Sequence, residues 1–187
     1  MSLPRVVVFD LDGTLWAPEM YEMWGGGSPF TAKENGKYLV DKKGERVNLL
    51  GDSRALLEKL IAHPAVESGE TTLGLASTCD EPEWARECLN KFTLRQRDKL
   101  VPMGSVFQHH EIFKANKREH FKRIQKATGA EFADMIFFDN QTNNIHDVSP
   151  LGVHCVYTPE GQTMGYWEKG IADWRKKRGE AAPKAEL

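Results

Sequence analysis

The chain has 187 residues, enough for one domain with a full core and short for two independent ones. Its 25 basic and 27 acidic side chains give a formal charge of −2, with 28% charged and 40% hydrophobic residues, and nothing in that balance points to nucleic acid. The longest apolar runs are strand-sized, which argues against a membrane span, and the opening MSLPR has no secretory signal core.

Cys79, Cys88 and Cys155 are odd in number and lack a C-x-x-C pair, so reduced thiols are expected in place of a disulfide framework or structural zinc. The expected compartment is the cytoplasm, with the nucleus as a second.

In chain order, VVVF (6–9) is a β-branched apolar run that predicts a strand covered on both faces, and it ends in Asp10 and Asp12. Residues about 16–50 lack helical periodicity and contain the turn signals GGGSP, ENG and DKKG. KYLV and RVNLL flank the last of these and predict a small hairpin flap over the strand ends. Asp52 and Ser53 cap a helix through RALLEKLIA that stops at His63-Pro64.

TTLGLAS (71–77) is a second apolar strand, followed by a helix over 81–92 with Pro82 in its first turn. A weak strand is expected at SVFQ (105–108), then a helix from Asn116 as cap to Gly129 as stop. MIFFDN (135–140) and VHCVYT (153–158) complete the strands. A last helix carries Tyr166, Trp167, Ile171 and Trp174 as its apolar stripe, and residues 179–187 read as a flexible tail. Strand and helix alternate throughout residues 1–178, which predicts a single α/β domain with a doubly wound parallel sheet.

In such a sheet all strand ends open on one edge, where ligands bind, so Asp10 and Asp12, Ser77 and Thr78, and Asp139 and Asn140 can meet there with Lys117. Alternate residues of an extended segment point the same way, so the carboxylates of Asp10 and Asp12 can converge. Carboxylate and amide oxygens suit Mg²⁺; a hydroxyl and a lysine suit a phosphate; and an aspartate can form an aspartyl-phosphate.

These residues resemble the haloacid dehalogenase (HAD) superfamily of phosphatases. DLDGT is similar to its first motif, Ser77 to its second, Lys117 to its third and FFDNQTNN to its acidic fourth. Together with the short flap, ASTCDEPEWA and the run from IFFDN to LGV most resemble the eukaryotic magnesium-dependent phosphatase group. The resemblance implies a Rossmann-like HAD fold with a minimal cap and an Mg²⁺-dependent phosphomonoester hydrolase.

By that resemblance Asp10 is the nucleophile and Asp12 the general acid and base. Leu11, Ser77, Thr78 and Lys117 bind phosphate or substrate, and Asp10, Asp12, Asn140 and Asp139 serve the metal, Asp139 through water or by orienting Lys117. The chain departs from the group at Gly13, where tyrosine is usual, at Thr78, where an arginine contact is often found, and at Asn140, which stands in for a second aspartate.

The implied substrate is either a phosphoprotein, as in protein-tyrosine phosphatases, or a small sugar or glycation phosphate. A phosphate-binding regulator without catalysis and a phosphotransferase or phosphomutase are the alternatives; the general acid argues against the first. Plainer roles stand beside these: Ser77 and Thr78 as a helix cap, and Lys114 in the place of Lys117; Asn143, Asn144 and Asp147 offer a second metal shell, with helix start or packing as the alternative for Asn144 and Asp147, and Trp16, Trp24 and Trp84 are either walls of a substrate pocket or core or flap packing. His109-His110 is a poor metal pair, since neighbours on a strand point apart. DLDGT lacks the calcium-loop glycine at its sixth position, which is Leu15, and no nucleotide P-loop string is present.

Overall fold

Strand β1 (Val6–Phe9) is buried at every position, as its apolar run requires. In the computed structural model, which describes residues 2–179, it leads into an insertion made of β2 (Trp16–Ala17), β3 (Thr31–Lys33), β4 (Tyr38–Val40) and β5 (Arg46–Leu49). Then follow α1 (Ser53–Ile61), α2 (Pro64–Glu67), β6 (Thr72–Ser77) and α3 (Pro82–Lys91). A hairpin of β7 (Thr93–Gln96) and β8 (Lys99–Pro102) precedes β9 (His109–Ile112) and α4 (Lys117–Thr128). The chain closes with β10 (Met135–Asp139), α5 (Thr142–Val148), β11 (His154–Tyr157) and α6 (Met164–Lys177).

The main sheet runs β11-β10-β1-β6-β9 with every pairing parallel. Because β1 lies between β6 and β10, the strand order reverses beside it, and the crevice of an open α/β sheet falls at such a reversal. Alternation splits β1 between two cores. Val7 and Phe9 pack with Leu57, Leu89, Phe138 and Trp167 on the face of α1, α3 and α6, while Val6 and Val8 pack with Phe121, Ile124, Phe137 and Val148 on the face of α4 and α5. Phe9 stacks on Phe138 at 5.2 Å, and Phe138 on Trp167 at 5.7 Å. Full burial of such a side chain contributes about 1.5–3 kcal/mol, so the strand end that carries Asp10 rests on a rigid base.

Several local signals act as read. Pro82 opens α3, Asn116 caps α4 by accepting from Arg118 N, and Gly129 ends α4 at φ 63°. His63 ends α1 and caps α2, accepting from Ala65 N. In α6, Trp167, Ile171 and Trp174 are buried with Gly170, whereas Tyr166 is half-buried. The cysteines are free. No helix among the described residues is long and apolar enough to cross a membrane. The tail read over 179–187 lies outside the described residues beyond Gly179.

Two segments differ from the sequence reading. The weak strand at 105–108 is replaced by a 3-10 turn, Met103–Val106, closed by Ser105 Oγ donating to Pro102 O at 2.7 Å, and the strand forms one step later as β9. It is an edge strand of His109, His110, Glu111 and Ile112, and an edge tolerates the polar residues that conceal it from an apolar-run search. The β7–β8 hairpin carries no turn signal in the sequence, since its tip is Arg97 at φ 55° where a hairpin signal would carry glycine or asparagine.

In the insertion the hairpin β4–β5 forms with Leu39 opposite Val47, inside a four-stranded antiparallel sheet, β2-β5-β4-β3. Buried Asp41 organises its loop by accepting from Gly27, Lys43 and Glu45 N–H, each at 2.8 Å. The hairpin base is tied sideways to α1, where Arg54 donates to Lys37 O at 3.0 Å and to Gly36 O and Thr93 O.

Candidate active site

At the carboxyl edge of the sheet, β1 and β6 deliver Asp10, Asp12 and Ser77 into one polar cleft of about 200 Å³; neither Asp139, fully buried at the end of β10, nor Asn140 is among the residues that line it. Its lining adds Thr78, Lys117, Asn143 and Asn144 from the sequence reading, and Glu19, Tyr21, Asp80 and Gln141, which that reading missed. Glu19 and Tyr21 sit around a single 3-10 turn in an aperiodic stretch, so no local pattern marks them. They are the insertion's contribution to the lining among the described residues; no residue of the β4–β5 hairpin is part of it.

Lys117 is the cation at the bottom. As the first residue of α4 its side chain runs inward, 1% exposed, and Nζ donates to Asp10 Oδ1 and Ala76 O at 2.5 Å each and meets Asp139 Oδ2 at 3.2 Å. Lys114, the competing lysine, is exposed and pairs with Asp80 at 2.6 Å on the rim. Burial works against the charge on Lys117, but Asp10 and Asp139 outweigh it and carry its pKa above the ordinary value.

Asp10 shows the opposite balance. Burial drives its pKa upward, Lys117 pulls it down, and Asp139 and Asp12 push it up again. Asp12 is also raised by burial, against the hydrogen bonds that hold it: Trp16 Nε1 donates to Oδ1 at 2.6 Å and Met20 N to Oδ2 at 2.9 Å. Asp10, Asp12 and Asp139 therefore share one ammonium, a carboxylate excess that a hard cation would offset.

Asp139 Oδ1 accepts from Gln141 N at 2.7 Å, and Asn144 Nδ2 reaches both of its oxygens at 3.1 and 3.0 Å. Asn140 is fixed to the first motif instead: its N–H donates to Thr14 Oγ1 at 3.0 Å and its Oδ1 accepts from that hydroxyl at 3.3 Å. Gly13, at φ 74°, lies so close that a Cβ there would sit 2.2 Å from Asn140 Nδ2. The departures at positions 13 and 140 are thus in contact.

Ser77 is buried, and its carbonyl accepts from Phe113 N at 3.2 Å. The Thr78 hydroxyl donates to Ala115 O at 2.8 Å, tying β6 to the segment that carries Lys117. Neither residue caps α3, whose N-cap is Glu81. The Leu11 side chain is buried and its carbonyl accepts from Thr14, Leu15 and Trp16 N–H, so its contact with a ligand would be through the main chain.

Asp147 accepts from Asn116 Nδ2 at 2.6 Å, a packing role outside the cleft. None of Trp16, Trp24 and Trp84 lines the cleft. Trp84 packs edge-on against Phe30, Trp24 is 84% exposed, and Trp16 is buried behind Asp12. His110 Nε2 lies 3.1 Å from Phe107 O, and the described residues contain no group of three or more His, Cys, Asp or Glu arranged for a metal.

Comparison with known proteins agrees with this architecture. The model of the acid phosphatase family matches residues 2–177. The chain is 33% identical over 177 residues to human "Magnesium-dependent phosphatase 1", covering 93% of this chain and 89% of the relative. It is 30% identical over 157 residues to a HAD-like hydrolase superfamily protein of Schizosaccharomyces pombe, covering 82% and 84%. The crystal structure of a Clostridium difficile protein described as a putative phosphatase shares the fold at a TM-score of 0.56 and 13% identity, covering 91% and 92%. With a family match across nearly its whole length and these relatives beside it, the chain belongs to the acid phosphatase family of the HAD-like hydrolases.

Proposed function

We propose that this chain is a magnesium-dependent phosphomonoester hydrolase working through an aspartyl-phosphate on Asp10. The observation that carries the reading is the pair of carboxylates after β1, one on buried Lys117 and the other held by two N–H donors. The relative with magnesium in its name supports the metal, and the carboxylate excess of the cleft fits a divalent cation.

In this reading Mg²⁺ is held by the Asp10 carboxylate, the Asp12 carbonyl and the Asn140 amide oxygen, and when bound it supplies positive charge against the phosphoryl oxygens. Asp139, engaged by Asn144, Gln141 and Lys117, orients the lysine. Lys117 and Ser77, with the Leu11 main chain, hold the phosphoryl oxygens; Thr78 mainly fixes the Lys117 segment. Asp10 attacks phosphorus, Asp12 protonates the leaving oxygen, and Asp12 then takes a proton from the water that hydrolyses the aspartyl-phosphate.

The lining favours a small, hydroxyl-rich phosphate over a phosphotyrosine side chain. Glu19, Thr78, Asp80, Gln141 and Asn143 offer hydrogen bonds, whereas Tyr21 is the one aromatic ring among the lining residues. The direct test is release of phosphate from nitrophenyl phosphate with Mg²⁺ and with chelator, followed by kcat/KM for sugar phosphates against a phosphotyrosine peptide. A preference for the peptide would overturn the substrate class while leaving the reaction intact.

Mg²⁺ is expected to raise the melting temperature of the metal-free chain most at neutral pH. Asp10 and Asp12 have folded pKa values above the ordinary 3.8, so the metal-free fold binds protons more readily than the unfolded chain and loses stability as pH rises through those values. The metal offsets that loss, and protons displace it as pH falls toward 3.8, so the increment shrinks in acid. A pH-independent increment would remove the Asp10 carboxylate from the metal site.

Gly13→Ala is expected to lower the melting temperature, since a left-handed φ costs a β-carbon residue about 1–2 kcal/mol. It should also raise the Mg²⁺ concentration for half-maximal activity by displacing Asn140, and a Mg²⁺ titration of activity checks this.

A further inference from the structure

The hydrogen bonds of Asp12 reach beyond its assigned chemistry. Both donors come from the insertion: the indole of Trp16 in β2 to Oδ1 and the Met20 N–H to Oδ2. One donor on each oxygen fixes the plane of the carboxyl group and leaves each oxygen a second lone pair for a proton. Trp16 has little freedom to move. It is fully buried, pairs with Leu49 of β5, stacks on Phe92 at 6.0 Å, and accepts from Gly13 N at 2.8 Å through its own carbonyl. It does not line the cleft, so it meets Asp12 from behind.

We propose that Trp16 is a positioning residue which, with the Met20 N–H, aims the Asp12 carboxyl group at the leaving oxygen. The inference rests on the reading of Asp12 as general acid and base. In the step concerned, Asp10 Oδ forms a bond to phosphorus while the bond from phosphorus to the ester oxygen breaks. The electron pair leaves with that oxygen, which takes the proton of Asp12. In the second step the Asp12 carboxylate takes a proton from water as the water oxygen attacks phosphorus and Asp10 departs. An acid held at the wrong angle fails where the leaving oxygen most needs its proton. An alkoxide needs it; a nitrophenolate leaves without it.

The test is kcat/KM of Trp16→Phe on n-propyl phosphate and on nitrophenyl phosphate, measured on one preparation with Mg²⁺. Phenylalanine keeps an aromatic ring against Phe92 and removes the N–H. The alkyl ester is expected to lose about 10-fold or more and the aryl ester less than about 3-fold, a fraction of what the general acid supplies in total. Unfolded protein in the sample lowers both rates equally, so the ratio reports alignment alone. With Asp12→Ala already in place, Trp16→Phe should leave the ratio unchanged.

Met20→Pro removes the other donor at the first residue of a 3-10 turn, after Glu19 at φ −67° and ψ 140°, a conformation that proline accepts before it. It should shift the ratio in the same direction and serves if Trp16→Phe does not fold. Equal losses on both esters would reduce Trp16 to core packing and overturn the inference. A wild-type chain inert toward both esters would overturn the phosphatase reading, and this inference with it.

Discussion

In the mechanism proposed above, Asp10→Asn is expected to lower turnover by roughly 10⁴-fold or more, because an amide cannot supply the attacking oxygen of a covalent route. The fold is expected to survive this change. Lys117 keeps Asp139 and Ala76 O, and the substitution removes a carboxylate whose ionised form burial already disfavours. The variant should therefore melt no lower than wild type.

Asp12→Ala behaves differently. Loss of acid–base help slows turnover by about 10²–10⁴-fold but leaves the nucleophile in place. With a reactive aryl phosphate, attack by Asp10 then outpaces hydrolysis, and phosphate should accumulate on the peptide containing Asp10. Mass spectrometry of rapidly quenched Asp12→Ala checks this. Turnover by Asp10→Asn near the wild-type rate, or phosphate on another residue, would move the nucleophile elsewhere.

Lys117→Met should damage stability and activity together. The methionine fills much of the space but leaves Asp10 and Asp139 buried without their cation, and breaking a buried pair in this way costs about 3–5 kcal/mol. Without the ammonium that pulls it down, Asp10 should titrate still higher, so less of the proposed nucleophile is ionised at neutral pH and the activity profile is expected to move toward alkali. Denaturant melts and pH–rate profiles measure the two effects.

Adding Asp139→Asn to Lys117→Met removes one stranded charge, and part of the stability should return while activity stays low. Lys114→Ala, on the exposed rim pair, should leave melting unchanged. A Lys117→Met variant as stable and active as wild type would mean that the ion cluster at the cleft floor serves neither purpose.

The sequence by itself determined the frame of this protein and which strand ends gather at one edge of its sheet. Val6–Phe9, Thr72–Ser77 and Met135–Asp139 are apolar runs that end in polar groups, and a strand buried on both faces permits few other residues. Parallel strands bring such ends to one edge, so Asp10, Asp12, Ser77 and Asp139 were legible as neighbours before any contact was known. Asn116 and Gly129 bounded α4 through chemistry local to each residue, which is why Lys117 was legible as its first residue.

Only the tertiary structure decided the partners. That Lys117 and not Lys114 enters the cleft depends on which face of one turn looks inward. That Asp139 meets Lys117 and Asn144 while Asn140 turns to Thr14 depends on β1 and β10 lying side by side in one register. Trp16 reads in the sequence as core or flap packing, and it is buried core; its N–H reaches Asp12 because the insertion folds back behind the strand end. Glu19, Tyr21 and Asp80 carry no pattern, since their roles lie in contacts across the cleft and periodicity records only the face a residue turns to its own sheet or helix.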